Sequence, residues 1–387
     1  MASGVCFVVG ARPNFMKAAP VYRALEALEL DRGLFLVHTG QHYSAEMSDI
    51  FVSELGMPLP EVFLGIGAGT HAEQTARALI GVEQVLVARR PALVVVSGDV
   101  NSTLAAALAA AKLGIPIAHI EAGLRSFDGT MPEEHNRRLT DHLSAILLAH
   151  SPSAVANLER EGIDPAAVDL VGNVMIDSLL QHLEAARRRK PWDELGVEPG
   201  EYGLVTLHRP ALVDDPVLLR STVASLIRIA EHQQIVFPIH PRTRERLSRL
   251  DLEHELASSG VVVCDPLGYL DFLGLEADAR FVLTDSGGVQ EETSALGIPC
   301  FTLRNSTERP ITVELGTNTL LGIAPERIAE IPHLLEHPKH FEPIPLWDGR
   351  AGHRAAMVLA RFLEALEPTG HEEPAADDIS AGQITGI

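Results

Sequence analysis

Two doubly wound α/β domains facing a central cleft are predicted for this chain, on three observations. Short β-branched runs alternate with longer segments of helical period. The alternation breaks once near the middle of the chain and then restarts. The polar residues of greatest chemical interest fall just after the runs, where open parallel sheets bind ligands.

In the first half the expected strands are 5–10, 34–38, 93–97, 115–120, 145–150 and 168–172, with helices at 16–28, 71–89 and 100–113 among the segments between them. The all-apolar run at 93–96 reads as a strand buried on both faces. In the second half strands are expected at 203–207, 235–239, 261–264, 281–284, 299–302 and 319–322. Helices are expected at 216–232, 269–277, 288–296 and 325–335. A basic, then Pro- and Gly-containing stretch at 187–202 separates two Rossmann-like units, with the helix 174–186 leading into it. The division expected is 1–177 and 178–351, with an amphipathic helix at 352–366 packing back onto the first unit. The tail 368–387 is Gly-, Ala- and acid-rich and is expected to be disordered.

At 387 residues the chain is long for one core. A net charge of −21 disfavours nucleic acid or an anionic membrane surface as a partner, and it requires any anionic ligand to meet a local positive site. Cys6, Cys264 and Cys300 are odd in number, far apart and in apolar contexts, so they read as buried thiols in a reducing compartment. No basic leader precedes the first strand and no apolar run is long enough to span a bilayer. A cytoplasmic protein is expected.

Two strand–glycine–helix turns carry the first chemistry. Gly-Ala-Arg-Pro-Asn-Phe-Met-Lys at 10–17 ends the first strand and opens a helix whose N–H groups, with Arg12 and Lys17, suit an anion. It is not the GxGxxG pattern of dinucleotide cofactors. Asp-Ser-Gly-Gly-Val-Gln-Glu-Glu at 285–292 repeats the arrangement in the second half. Ser286, Gly287 and Gly288 permit close approach of a pyrophosphate, and Glu292 lies where a carboxylate accepts ribose hydroxyls.

Three carboxylates form the second group. Asp99 and Glu121 follow neighbouring first-half strands, and Glu133 opens a helix. Crowded carboxylates raise one another's pKa, which suits acid/base work. A helix cap for Asp99 and a helix-start acid for Glu133 are the structural alternatives. His208 and His240 end successive second-half strands, and Gln41-His42 follows a first-half strand. The histidines lack a metal-binding spacing, so no metal is called for.

With these residues, the chain resembles the non-hydrolysing UDP-N-acetylglucosamine 2-epimerases, which have the B-type glycosyltransferase (GT-B) fold. The resemblance spans about 5–366. It rests on the two turns above, His-Thr-Gly-Gln-His at 38–42, Gly-Asp-Val-Asn-Ser-Thr at 98–103 and His-Ile-Glu-Ala-Gly-Leu-Arg at 119–125. Pro-Glu-Glu-His-Asn-Arg at 132–137, Thr-Leu-His-Arg-Pro at 206–210 and Thr-Glu-Arg-Pro at 307–310 complete it.

The resemblance implies that UDP is expelled from C1 as C2 loses its proton. A 2-acetamidoglucal forms, and UDP adds back with protonation on the opposite face. It implies Asp99, Glu121, Glu133 and His208 as catalytic, and Arg12 and Lys17 near the diphosphate. Ser286, Gly287 and Gly288 would be its cradle, Glu292 the ribose ligand, Phe272 a neighbour of the uracil, and Arg309 a further active-site residue; His240 is a substrate-binding candidate from its strand-end position alone. Gln41 and His42 match a site where some bacterial members bind a second UDP-sugar. No cofactor is implied, and a homodimer is. The chain departs from many members at Asn14, where they carry Glu, at Ala211-Leu212, where they carry a polar stretch, and at the Gly- and Ala-rich 65–70. A hydrolysing epimerase, a glycosyltransferase of the same fold and a non-catalytic UDP-sugar sensor are the alternatives.

Overall fold

The computed structural model describes residues 4–10, 12–40 and 56–366. Strands β1 (Val5–Val9), β2 (Leu34–His38), β3 (Val62–Phe63), β4 (Leu93–Ser97), β5 (Ile117–Ala122), β6 (Ile146–Ala149) and β7 (Val168–Leu170) form one parallel sheet. Its order is β3-β2-β1-β4-β5-β6-β7. Strands β8 (Tyr202–Thr206), β9 (Gln234–Pro238), β10 (Val262–Cys264), β11 (Phe281–Thr284), β12 (Cys300–Thr302) and β13 (Asn318–Leu320) form the second, in the order β10-β9-β8-β11-β12-β13. All pairings are parallel. Every residue of β4 is buried, from Leu93 to Ser97, as a strand covered by helices on both faces requires.

The two sheets share one winding logic. Each reverses strand order once, between β1 and β4 in the first and between β8 and β11 in the second. That reversal opens a crevice beyond the strand ends. Residues just after β1, β4, β8 and β11 are therefore delivered to it: Gly10, Asp99, His208 and Ser286.

Differences from the expected elements are local. β5 begins and ends two residues later than expected, so Glu121 lies inside the strand and not after it. The pairing register to β6 shifts between Ile120 and Ala122, and Glu121 takes a left-handed φ of 72°. A bulge has no apolar-periodicity signature, so the sequence could not announce it. The two-residue β3 is too short to carry such a signature either. Cys6 and Cys300 are buried, whereas Cys264 is partly exposed because β10 is an edge strand. The expected tail lies outside the described residues.

Helix Arg12–Glu26 contains Pro20, which cannot donate to the carbonyl of Met16. Ser178 Oγ, on helix Val174–Arg189, donates to that carbonyl at 2.7 Å. The C-terminal helix Ala351–Ala365 presents Ala351, Gly352, Ala355, Ala356, Leu359, Ala360 and Leu363 to the same core as Phe7, Val21 and Leu25. Asp177 accepts from the amides of Ala351 (3.1 Å) and Gly352 (2.7 Å), satisfying that helix's first N–H groups. A Cβ on Gly352 would stand 2.7 Å from the Pro20 backbone.

Gly352→Ala is therefore expected to lower the denaturant midpoint, at a cost of about 1–3 kcal/mol for an overpacked backbone contact. Gly33→Ala, which would meet nothing within 4 Å, is the control, and equal midpoints for the two variants would count against close packing here.

Candidate active site

A cleft of about 1190 Å³ runs between the strand ends of the two sheets. Asp99, Glu133 and Lys17 line it from the first half. His208, His240, Phe272, Ser286, Gly287, Gly288, Glu292 and Arg309 line it from the second. Glu121 is buried beneath the floor and reaches the site through its ion pairs. The side chain of Arg12, together with Gln41 and His42, lies outside what the structure describes.

On the second-half side, Ser286 is the N-cap residue of helix Gly287–Leu296, but its hydroxyl does not cap it. The hydroxyl and the first-turn N–H groups face the cleft as an unspent anion site. Asp285, fully buried, accepts from the amides of His208 (2.8 Å) and Arg209 (2.7 Å). Its other oxygen lies 3.1 Å from His208 Nδ1. The carboxylate thus stands beside Nδ1 and leaves Nε2 as the nitrogen available to a ligand. His240 Nδ1 accepts from the amide of Arg242 at 3.2 Å, so this histidine caps the helix Pro241–Arg249 while lining the cleft.

On the first-half side, Asp99 is not a helix cap. Val100 occupies the N-cap of helix Asn101–Lys112, and Arg137 holds Asp99 Oδ2 with Nε (3.0 Å) and Nη2 (2.7 Å). Glu134 accepts from Ser126 N and Oγ and from Arg137. Glu133 opens helix Pro132–Leu143, half-buried, with no hydrogen bond or ion pair to another described residue. Gly98 has φ 67°, and a Cβ there would lie 2.9 Å from Lys17 Nζ. The left-handed backbone favours glycine here, and a Cβ would crowd the path of the lysine ammonium to Glu121.

A buried charge network joins the two sides. Lys17 Nζ pairs with Glu121 Oε2, and Arg309 Nη2 lies 3.4 Å from Glu121 Oε1. Arg309 also meets Glu291 (2.9 Å) and Glu308 (3.4 Å). Arg304 forks onto Glu308 at 2.9 and 2.6 Å, and His150 Nε2 lies 3.4 Å from Glu291.

This network corrects one expectation: crowding does not raise the carboxyl pKa of Glu121. Burial pushes it up, but Lys17 and Arg309 outweigh that and hold it below the ordinary carboxylate range. Burial likewise pushes up Glu291 and Glu308; Arg309 and then His150 hold Glu291 down, and Arg304 and then Arg309 hold Glu308 down. Glu291 also pushes Glu121 up, but the cations interleaved with the acids outweigh this.

Glu291, Glu308, Arg137 and His150 are not singled out by the sequence. The first three stand inside motifs already quoted, and His150 ends an expected strand. No local signal marks their partners, which are mostly far away in the chain.

The family model described as UDP-N-acetylglucosamine 2-epimerase matches residues 26–360. A protein of that description from Methanocaldococcus jannaschii is 44% identical over 358 residues, covering 91% of this chain and 97% of the relative.

The chain belongs to the UDP-N-acetylglucosamine 2-epimerase family.

The crystal structure of the M. jannaschii epimerase in complex with UDP-GlcNAc and UDP superposes with a TM-score of 0.84 at 43% identity, covering 92% of this chain and 99% of that one. The paired parallel sheets are the GT-B arrangement of this epimerase family. A second relative, a UDP-2,3-diacetamido-2,3-dideoxy-D-glucuronate 2-epimerase from Pseudomonas aeruginosa, is 46% identical over 327 residues, covering 84% of this chain and 89% of the relative.

Lys17→Met removes a cation that keeps Glu121 ionised. The stabilisation from that pairing is present above the ordinary carboxylate pKa and is lost as pH falls through the lowered one. In the variant the Glu121 pKa rises, so the acid limb of the kcat profile is expected to move toward neutrality by about one pH unit. An acid limb that stays in place would detach Glu121 ionisation from Lys17.

Proposed function

We propose that the protein is a non-hydrolysing UDP-N-acetylglucosamine 2-epimerase. The observation that carries this is the convergence of Asp99, Glu133 and the Lys17–Glu121–Arg309 network on the same cleft as the Ser286–Gly288 turn. A carboxylate set for C2 and an anion cradle for the leaving diphosphate thus face one another.

The C2 hydrogen of the sugar is barely acidic, because no carbonyl adjoins it. Expulsion of UDP from C1 while C2 loses its proton avoids a free carbanion. Charge develops on the departing diphosphate, and the helix N-terminus at Gly287, the Ser286 hydroxyl and Lys17 meet it. His208, with the Asp285 carboxylate beside Nδ1, donates from Nε2 to the leaving oxygen in its imidazolium form. Glu121, ionised, suits proton removal through the floor of the site. Asp99 and Glu133 belong to the same proton-moving set, on the half of the cleft that faces the sugar. Re-addition of UDP after protonation on the other face inverts C2. Arg12 and, for a second UDP-sugar, Gln41 and His42 complete the proposed contacts. Phe272 serves the uracil, Glu292 the ribose, and His240 and Arg309 the substrate's surroundings.

The first domain is taken as 1–177 with the returning helix 352–366, and the second as 178–351. Asp177 capping the C-terminal helix supports that division. Among the described residues no helix is long and apolar enough to cross a membrane. A cytoplasmic homodimer supplying a precursor of cell-surface polysaccharide is the reading the family resemblance supports.

A second substrate is favoured by a specific observation. The P. aeruginosa relative acts, by its name, on a diacetamido-glucuronate. In this chain Arg209 lines the cleft and forms no ion pair with a described residue, a cation that a sugar carboxylate would suit. The ratio of kcat/KM for UDP-N-acetylglucosamine to that for the UDP-diacetamido-glucuronate is expected to exceed about ten. The reverse ratio would reassign the substrate.

Incubation with UDP-N-acetylglucosamine in heavy water, followed by proton NMR, is expected to show deuterium at C2 and two intact UDP-sugars. Free sugar as main product would indicate hydrolysis, and unchanged substrate with transfer to an added acceptor would indicate a glycosyltransferase. Glu121→Gln is expected to bind UDP as the parent does and to lose turnover by about 100-fold or more; near-full activity would remove Glu121 from the catalytic set.

A further inference from the structure

One buried acid takes no part in the mechanism above. Glu276 lies in helix Tyr269–Ala277, one turn after Phe272, and is completely buried. Neither carboxyl oxygen receives a hydrogen bond from an amide, a hydroxyl or a cationic side chain. The titratable groups facing it are Glu292, from helix Gly287–Leu296, and Cys300, from β12. The arginines of the adjoining helix Val174–Arg189 are engaged elsewhere, Arg187 with Asp278 at 3.4 Å, Arg188 with Glu184 at 3.7 Å and Arg189 with Asp271 at 2.5 Å.

An ionised Glu276 would lack both solvent and a hydrogen-bond donor while facing the carboxylate of Glu292. One proton must remain on the pair. Burial raises the Glu276 pKa well above its ordinary range, and the charge of Glu292 raises it further. Glu292 opens onto the cleft, where water or ligand hydroxyls stabilise the ionised form. The proton therefore resides on Glu276, and a carboxylic O–H donated to a carboxylate is among the stronger hydrogen bonds available.

We propose that Glu276 is a positioning residue: as a neutral carboxylic acid it donates to Glu292 and holds that carboxylate in the orientation that accepts the ribose hydroxyls. The proposal rests on the reading of Glu292 as the ribose ligand. It also ties ribose to base recognition, because Phe272 and Glu276 sit four residues apart on one helix face.

The test compares the full chain with Glu276→Gln, Glu276→Leu and Glu292→Ala, titrated with UDP and with 2′-deoxy-UDP by calorimetry. Glutamine retains a neutral donor of the same length, so its UDP affinity is expected within about threefold of the parent. Leucine removes the donor at similar volume. UDP affinity is expected to fall by about tenfold, KM to rise more than kcat falls, and the preference for UDP over 2′-deoxy-UDP to collapse. Infrared difference spectra between the parent and Glu276→Gln are expected to show the carbonyl stretch of a protonated carboxylic acid in the parent alone.

Unchanged affinity and preference in Glu276→Leu would overturn the proposal. So would a missing carbonyl band, or a glutamine variant as impaired as the leucine one. If Glu276→Leu does not fold, the infrared spectrum and the glutamine variant decide. Parent-like UDP binding by Glu292→Ala would instead sink the ribose reading, separately from the protonation of Glu276.

Discussion

The guanidinium of Arg309 is the charge about which the site is organised. It is buried, and a buried cation is tolerated only when nearby carboxylates neutralise it. Glu291 and Glu308 come from the second half, and Glu121 comes from β5 of the first. Their summed charge holds the Arg309 pKa above its ordinary value despite burial. The Arg309–Glu121 contact crosses between the two sheets and adds a third carboxylate to the guanidinium. Separating them would leave Arg309 and Glu121 each short of a partner, so the electrostatics of the cleft and its closure are one constraint.

Glu121 accommodates this constraint at a backbone cost. Its left-handed φ of 72° and the register shift beside it turn the side chain beneath the cleft floor, toward Lys17 and Arg309. Strain of this kind persists where the surroundings over-determine it. The outcome is a carboxylate that is dry yet ionised, because Lys17 and Arg309 stand against it.

A chain of net charge −21 can still receive a diphosphate because the field is partitioned locally. Lys17, Arg137, Arg209, Arg242, Arg304 and Arg309 line the cleft, and most are tied to specific acids. Pairing keeps these cations in place before a ligand arrives. The helix N-terminus at Gly287 adds positive potential that no side chain has to supply. The proposed neutral Glu276 beside Glu292 would apply the opposite device, since no cation among the described residues reaches its carboxyl oxygens.

Strand–helix alternation, the two glycine turns and the restart near the middle were legible in the sequence, because backbone period and turn chemistry are written over a few neighbouring residues. That is why Asp99, His208 and Ser286 could be placed at strand ends from the chain alone. The charge state of Glu121 was not legible. Its partners Lys17 and Arg309 stand 104 and 188 residues away, and their opposing effect on its pKa depends on through-space distances that no local pattern encodes. The same holds for Arg137 on Asp99, for His150 on Glu291 and for the hydroxyl of Ser178 that satisfies the carbonyl freed by Pro20. The sequence by itself determined which elements form and which side chains stand at their ends. Tertiary structure alone decided which of those side chains are charged, because ionisation in a dry interior is set by what packs against a group.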